Sequence, residues 1–169
     1  VQGNIVDVLM PPLSPSEMLM GITMGGVTRG LVVGLVLSLV MIAFVPMQVH
    51  DLGFLLLHAV AATLMMSLIG MITAIWADKF DQLAAITNFL ITPLAFLSGT
   101  FYSIDMLPPI WQTITLFNPV VYLVSGFRWS FFEISDVSVL ISIGMTALFM
   151  IVCLLVIRWM FATGYRLKQ

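Results

Sequence analysis

Residues 106–127 read MLPPIWQTITLFNPVVYLVSGF, twenty-two residues without a charged side chain. Crossing about 30 Å of hydrocarbon takes about 20 helical residues, so the length suffices. The prolines forbid one continuous helix. Pro108 and Pro109 stand near the start, and Asn118-Pro119 interrupts the middle. A proline removes a helical hydrogen bond and clashes with the preceding turn, and the residue before it is pushed out of the helical region. The pattern predicts two short helices, 110–117 and 120–129, neither long enough to span. Irregular backbone at membrane depth suits a re-entrant hairpin that enters and leaves on one side.

Around this stretch lie other uncharged runs of spanning length: 30–49, 52–77, 82–104 and 137–157. His58 is the only titratable residue of the second, and Pro93 and Gly99 interrupt the third. Apolar residues make up 61% of the chain and charged residues 8%, with a mean hydropathy of +1.14. A soluble body of this size is mostly surface and could not hide so much apolar area. In lipid the backbone must satisfy itself, leaving helices or closed barrels. Barrel strands would alternate apolar and polar over about ten residues, whereas these runs are continuous and longer. The expected fold is therefore all-α, a polytopic membrane bundle with a re-entrant helical hairpin before the last span. The expected spans are 18–45, 52–76, 83–101 and 137–161, with re-entrant helices over 106–129 and a cytoplasmic loop over 1–17.

Charge placement supports that map. With a cytoplasmic N-terminus and a re-entrant fourth stretch, Lys79, Arg158, Arg166 and Lys168 face the cytoplasm, Arg29 lies in the cytoplasmic half, and Arg128 alone is outside. If the fourth stretch spanned, the six cations would divide evenly. Cytoplasmic loops carry an excess of Lys and Arg, which favours the re-entrant arrangement and a cytoplasmic C-terminus. Phe101, Tyr102, Trp111, Tyr122 and Trp129 then gather near the outer surface, where amphipathic rings prefer the headgroup layer.

Few residues offer chemistry. Six scattered Lys and Arg residues and a net charge of −2 make no basic patch for nucleic acid. Cys153, the single cysteine, cannot form an internal disulfide or a zinc site and reads as a small buried hydrophobe. No Walker A motif or HExxH motif occurs, and no nucleophile, base and orienter stand at motif spacing. Catalytic, cofactor and metal residues are thus expected to be none on this chain. Gly26, Gly30 and Gly34 recur every fourth residue and predict close helix packing. Arg29, one or two turns into an apolar helix, must snorkel to headgroups or pair with a partner. Arg128 has Glu133 and Asp136 within reach along the chain, with anionic lipid as another partner. His58 reads as a helix-packing residue, and His50 and Asp51 as loop residues.

The run FLSGTFYSIDMLPPIWQTITLFNPVVYLVSGFRWSFF, residues 96–132, resembles ABC-2 type transporter permeases, in particular the bacterial inner-membrane group of drug, nodulation-factor and polysaccharide exporters. The resemblance is carried by LSGTFY, Leu107-Pro108-Pro109, Trp111, Asn118-Pro119 and Gly126-Phe127-Arg128. Earlier, GNIVDVLMPPLSPSE (residues 3–17) and the glycine-rich helix with Arg29 look like the family's cytoplasmic loop and third helix. The resemblance implies six membrane helices with a re-entrant pair between the fifth and sixth, of which this chain carries the third to sixth. It departs from the pattern in lacking the coupling helix and the first two spans. From Val1, the sequence reads as the middle of something longer.

What the resemblance implies is the permease subunit of an ATP-driven exporter for an amphipathic drug, lipid or glycan. Implied partners are a separate ATPase subunit that binds ATP and Mg, a second permease copy, and membrane lipid. Phe101, Tyr102, Trp111 and Tyr122 are the expected outer gate. Two rival readings remain: a membrane assembly or anchoring protein that transports nothing, and an intramembrane enzyme using His50, Asp51 and His58.

Overall fold

The computed structural model describes residues 14–46 and 48–165. The expected loop 1–17 falls almost entirely outside them, as do Arg166 and Lys168. The described residues form helices and turns and no strand: α1 (Pro15–Phe44), α2 (Leu52–Trp76), α3 (Phe80–Phe96), α4 (Pro109–Thr115), α5 (Pro119–Phe132) and α6 (Val139–Thr163). At 1.5 Å per residue, α1 is about 45 Å long and α2 and α6 about 37 Å, so all three exceed the hydrocarbon thickness. All three are apolar around their circumference, as helices in lipid are.

Local chemistry sets the boundaries. The side chain of Ser14 accepts a bond from the backbone of Glu17, whose carboxylate takes the Ser14 N–H in return at 2.7 Å. This capping box starts α1 at Pro15, three residues ahead of the expected Met18. Asp51 caps α2 through the Phe54 N–H at 2.9 Å.

The run expected as a helix over 83–101 takes a different form. α3 ends at Phe96, and 97–103 turns away, with Gly99 in the left-handed region at φ +82. Within α3, Thr87–Ile91 is a π-turn just ahead of Pro93. Proline can neither donate to the carbonyl four residues back nor tolerate its contact, and a widened turn relieves both problems. The Thr92 hydroxyl adds a bond to the Thr87 carbonyl at 2.9 Å. At seventeen residues, α3 is about 25 Å long.

α2 is the hub, packing against α1, α5 and α6, and α5 and α6 also pack on each other. Leu68, Met71 and Ile157 are fully enclosed, with Leu19, Leu64, Ile75, Met150 and Phe161 around them. α1 approaches α2 through its glycines. A Cβ on Gly26 would strike the Ser67 side chain, and one on Gly30 would come within 2.6 Å of Thr63 Cγ2. The Ser67 hydroxyl donates to the Thr23 carbonyl at 3.2 Å, so the helices meet nearly backbone to backbone. Gly34 faces open space. α3 stands apart from α2 and α6 across an apolar groove lined by Ile72, Trp76, Leu90 and Trp159.

Gly26→Leu in the full-length protein should force α1 off α2 and destabilise it by about 1–3 kcal/mol. Gly34→Leu should change little. Thermal unfolding in detergent checks both; equal melting temperatures would remove the contact from the packing account.

Candidate functional site

Helices α4 and α5 form a hairpin whose tip is Phe117-Asn118. Pro109 opens α4, and Pro119 opens α5 with Asn118 as its N-cap, the Asn118 side-chain oxygen accepting from the Val120 N–H at 3.0 Å. The Asn118 amide donates across to the Leu94 carbonyl at 2.6 Å, joining the tip to the end of α3. The Tyr122 phenol donates to the Leu116 carbonyl at 2.6 Å and closes the turn between the two helices. α4 has seven residues and α5 fourteen, so neither crosses 30 Å.

The far end of α5 is fixed beside His50 and Asp51, just ahead of α2. The Ser130 carbonyl accepts both the His50 N–H (2.9 Å) and the Asp51 N–H (3.2 Å). Ser125 Oγ accepts from the Val137 N–H at 3.1 Å and donates to the Val137 carbonyl at 3.2 Å, binding α5 to the start of α6.

The strongest electrostatic feature is centred on Arg128. Its guanidinium pairs with Asp136 through one nitrogen and donates to the Gly99 carbonyl through the other. The second carboxylate oxygen of Asp136 accepts from Ser103 Oγ at 2.7 Å. The Asp136 side chain is only 6% exposed and that of Arg128 22%. A pair this enclosed must have its remaining donors and acceptors satisfied, which is what Gly99 and Ser103 supply. Of the two carboxylates near Arg128 in sequence, Asp136 is the partner; Glu133, in the left-handed region at the end of α5, stands by His50 at 4.0 Å.

α5 meets α2 through His58. This imidazole is buried, with Nδ1 3.2 Å from the Phe54 carbonyl, and occupies the space a Cβ on Gly126 would need. Phe54 lies 4.2 Å from His58 and 4.7 Å from Trp129 between ring centroids, and Trp129 meets His50 edge-on at 5.4 Å. His50, Asp51 and His58 therefore hold three separate structural positions rather than one catalytic cluster. No group of His, Cys, Asp and Glu among the described residues could hold a metal ion.

The four expected gate aromatics are not one cluster. Phe101 is 72% exposed and stacks on Phe96 at 5.3 Å, Trp111 is exposed, and Tyr102 is half-buried. Tyr122 is buried as the strut described above. Arg29 is exposed on α1, fourteen residues beyond Pro15, so it stands nearly four turns into its helix rather than one or two. Sequence reading missed the carbonyls of Gly99 and Leu94 as anchoring points and Gly126 as the seat of His58. The glycines themselves were the available signal, since each sits where a side chain or a negative φ would fail.

Comparison with known proteins follows the same residues. The family model described as ABC-2 type transporter matches residues 1–132. The chain is 39% identical over 158 residues to the inner membrane transport permease YadH of Escherichia coli K12, covering 94% of this chain and 61% of that protein. The same identity and coverage hold for YadH of Shigella flexneri. Nodulation protein J of Rhizobium leguminosarum bv. viciae is 28% identical over 88 residues, covering 52% of this chain and 34% of that protein. The chain thus spans about three fifths of the length of these YadH permeases. No solved structure matches it at a significant level.

Arg128→Ala should leave Asp136 charged, enclosed and half-partnered, lowering stability by about 3 kcal/mol. The double substitution Arg128→Met with Asp136→Leu should recover most of that loss, which a double-mutant cycle on thermal unfolding reads directly. Gly126→Ala should destabilise by pushing on the His58 ring, and the loss should shrink in a His58→Ala background; additive effects would mean that the two residues do not meet.

Proposed function

The chain belongs to the ABC-2 type transporter family, and from that premise we propose that it is the membrane-spanning part of an ATP-driven exporter in a bacterial inner membrane. The observation that carries this reading is the 39% identity to an inner membrane transport permease over 94% of the chain. In this reading an ATPase subunit on the cytoplasmic side binds ATP and Mg. The end of the bundle holding 48–51, 97–108 and 133–138 faces outward, and the C-terminus is cytoplasmic, in keeping with the distribution of Lys and Arg. Two permease copies enclose the path. The apolar faces of α1 and α3 that no described element covers are available to that second copy, to further helices of the protein and to lipid.

In this arrangement the α4–α5 hairpin dips from outside and its rim forms the mouth. Phe101 and Trp111, both exposed, are the gate residues, together with half-buried Tyr102. Tyr122 is the strut that keeps the hairpin closed on itself. ATP-driven closure of the nucleotide-binding subunits shifts the population of mouth conformations, and it can do so only by the difference in their interaction free energies. An amphipathic drug, lipid or glycan is the substrate class that suits a mouth lined by aromatic rings.

The test is a tagged pull-down of the full-length gene product from native membranes, with ATPase assay of what co-purifies. An ATP-hydrolysing partner whose activity depends on the intact permease is the expected result. Capture without one would replace the exporter by an anchoring or assembly role. In the active complex, Phe101→Ala and Trp111→Ala should alter substrate-stimulated ATP hydrolysis severalfold; unchanged stimulation and efflux would remove the gate.

A further inference from the structure

Arg29 lies at a depth where a charge needs a reason. Gly26 sits against Ser67 and Gly30 against Thr63, so α1 and α2 run antiparallel and Arg29 is level with Leu64. Twelve residues of α2 lie on each side of Leu64 (52–63 and 65–76), which puts Arg29 about 18 Å from either end of a 37 Å helix. If α2 crosses the bilayer, Arg29 is near the midplane whichever way the chain is oriented.

Snorkelling does not resolve this. Side chains on a helix lean towards its N-terminus, and an arginine reaches no further than about a turn and a half, roughly 8 Å. Half the hydrocarbon thickness is about 15 Å, which leaves the guanidinium about 7 Å short of the headgroups. Nor does a carboxylate in the described chain answer it. The acidic residues among the described ones sit at the ends of the helices and in the loops between them, and the one on the same helix, Glu17, is three turns away and engaged in the capping box. At helix midpoint an unrelieved arginine is strongly disfavoured in lipid.

The direction of the residue points the same way. At about 100° per residue, Arg29 is turned roughly 80° from the Gly26–Gly30 contact line. It follows Gly25 and Gly21 at four-residue spacing, and a Cβ at either position would meet nothing within 4 Å. Beneath the guanidinium, on the side towards which it leans, the surface of α1 is therefore bare backbone.

Resting on the permease reading, we propose that Arg29 is an anion-binding residue on the wall of the transport path at mid-membrane, taking a phosphate or carboxylate group of the transported molecule. A water-filled path removes the dehydration that lipid would impose, and its low-dielectric walls strengthen attraction for an anion. The bare surface at Gly21 and Gly25 gives that group room to approach the guanidinium.

The experiment places a cysteine at position 25, one helical turn from Arg29, in the full-length protein with Cys153 and every other native cysteine replaced by alanine. Two methanethiosulfonate reagents of equal size, one bearing a sulfonate and one a quaternary ammonium, are compared for rate, each normalised to its rate with a free thiol. The sulfonate reagent should react faster by about tenfold or more. Arg29→Gln should abolish the preference and Arg29→Lys should retain it. Gly21→Cys serves as a second probe should the first variant fold poorly. Reaction without charge preference would mean that Arg29 is neutralised by a carboxylate of another helix or copy, and would overturn the proposal. Failure of either reagent to react, while a cysteine at the exposed loop position Gln48 does react, would place α1 against lipid or protein and overturn it equally. The outcome is independent of the pull-down: an anion preference in a protein without an ATPase partner would retain the site and discard the exporter.

Discussion

The arrangement of the hairpin depends on one charged contact in an apolar molecule. Arg128 lies on α5, Asp136 precedes α6, and Gly99 and Ser103 belong to the turn after α3. Three segments separated in sequence thus meet at one ion pair. Its position makes it stronger than a surface bridge, because water is largely excluded and both ions have further partners. It also constrains the backbone around it. The Gly99 carbonyl can face Arg128 only because the residue turns through φ +82, which glycine adopts without strain.

Elsewhere, helices meet without help from the hydrophobic effect, since lipid tails are as apolar as leucine. Small and hydrogen-bonding residues take its place. Gly26 and Gly30 admit Ser67 and Thr63, and Gly126 admits His58. Each such contact replaces a bulky side chain with close backbone approach and dispersion. This explains why α2, which supplies Ser67, Thr63 and His58, is the hub, while the long apolar faces of α1 leave Val27 and Thr23 as its only buried residues among the described ones.

Much of this was legible because proline and charge are punctuation that lipid cannot blur. Pro108-Pro109 and Asn118-Pro119 marked the two short helices to within a few residues, and uninterrupted apolar runs marked the three long ones. The end of α3 was harder to read, because LSGTFY continues the apolar run while Gly99 reverses the backbone. Tyr122 looked like a surface aromatic, yet its burial follows from a hydrogen bond to a carbonyl six residues earlier, which hydropathy does not encode. Arg29 was placed too near one end because the uncharged run begins beside it at Gly30, whereas the helix begins at Pro15 behind the Ser14 capping box, which a count of uncharged residues does not reveal. His58 required knowledge of which glycine would face it.

The hairpin is best understood as the cap of α3. The last carbonyls of a helix have no partner within it, and in hydrocarbon each one left bare costs several kcal/mol. Past the π-turn and Pro93, α3 ends with the Leu94 carbonyl turned to the Asn118 amide, and Gly99, in the turn that follows, offers its carbonyl to Arg128. Side-chain packing contributes little to this attachment, for α3 stands off across a groove from α2 and α6. A helix held by polar bonds at its end rather than by an interdigitated face is directionally fixed there and loosely held along its length. Displacing its upper end therefore means displacing the hairpin with it, because separating them would leave two backbone carbonyls, an amide and one guanidinium nitrogen without partners together. That penalty makes α3 and the hairpin move as one body.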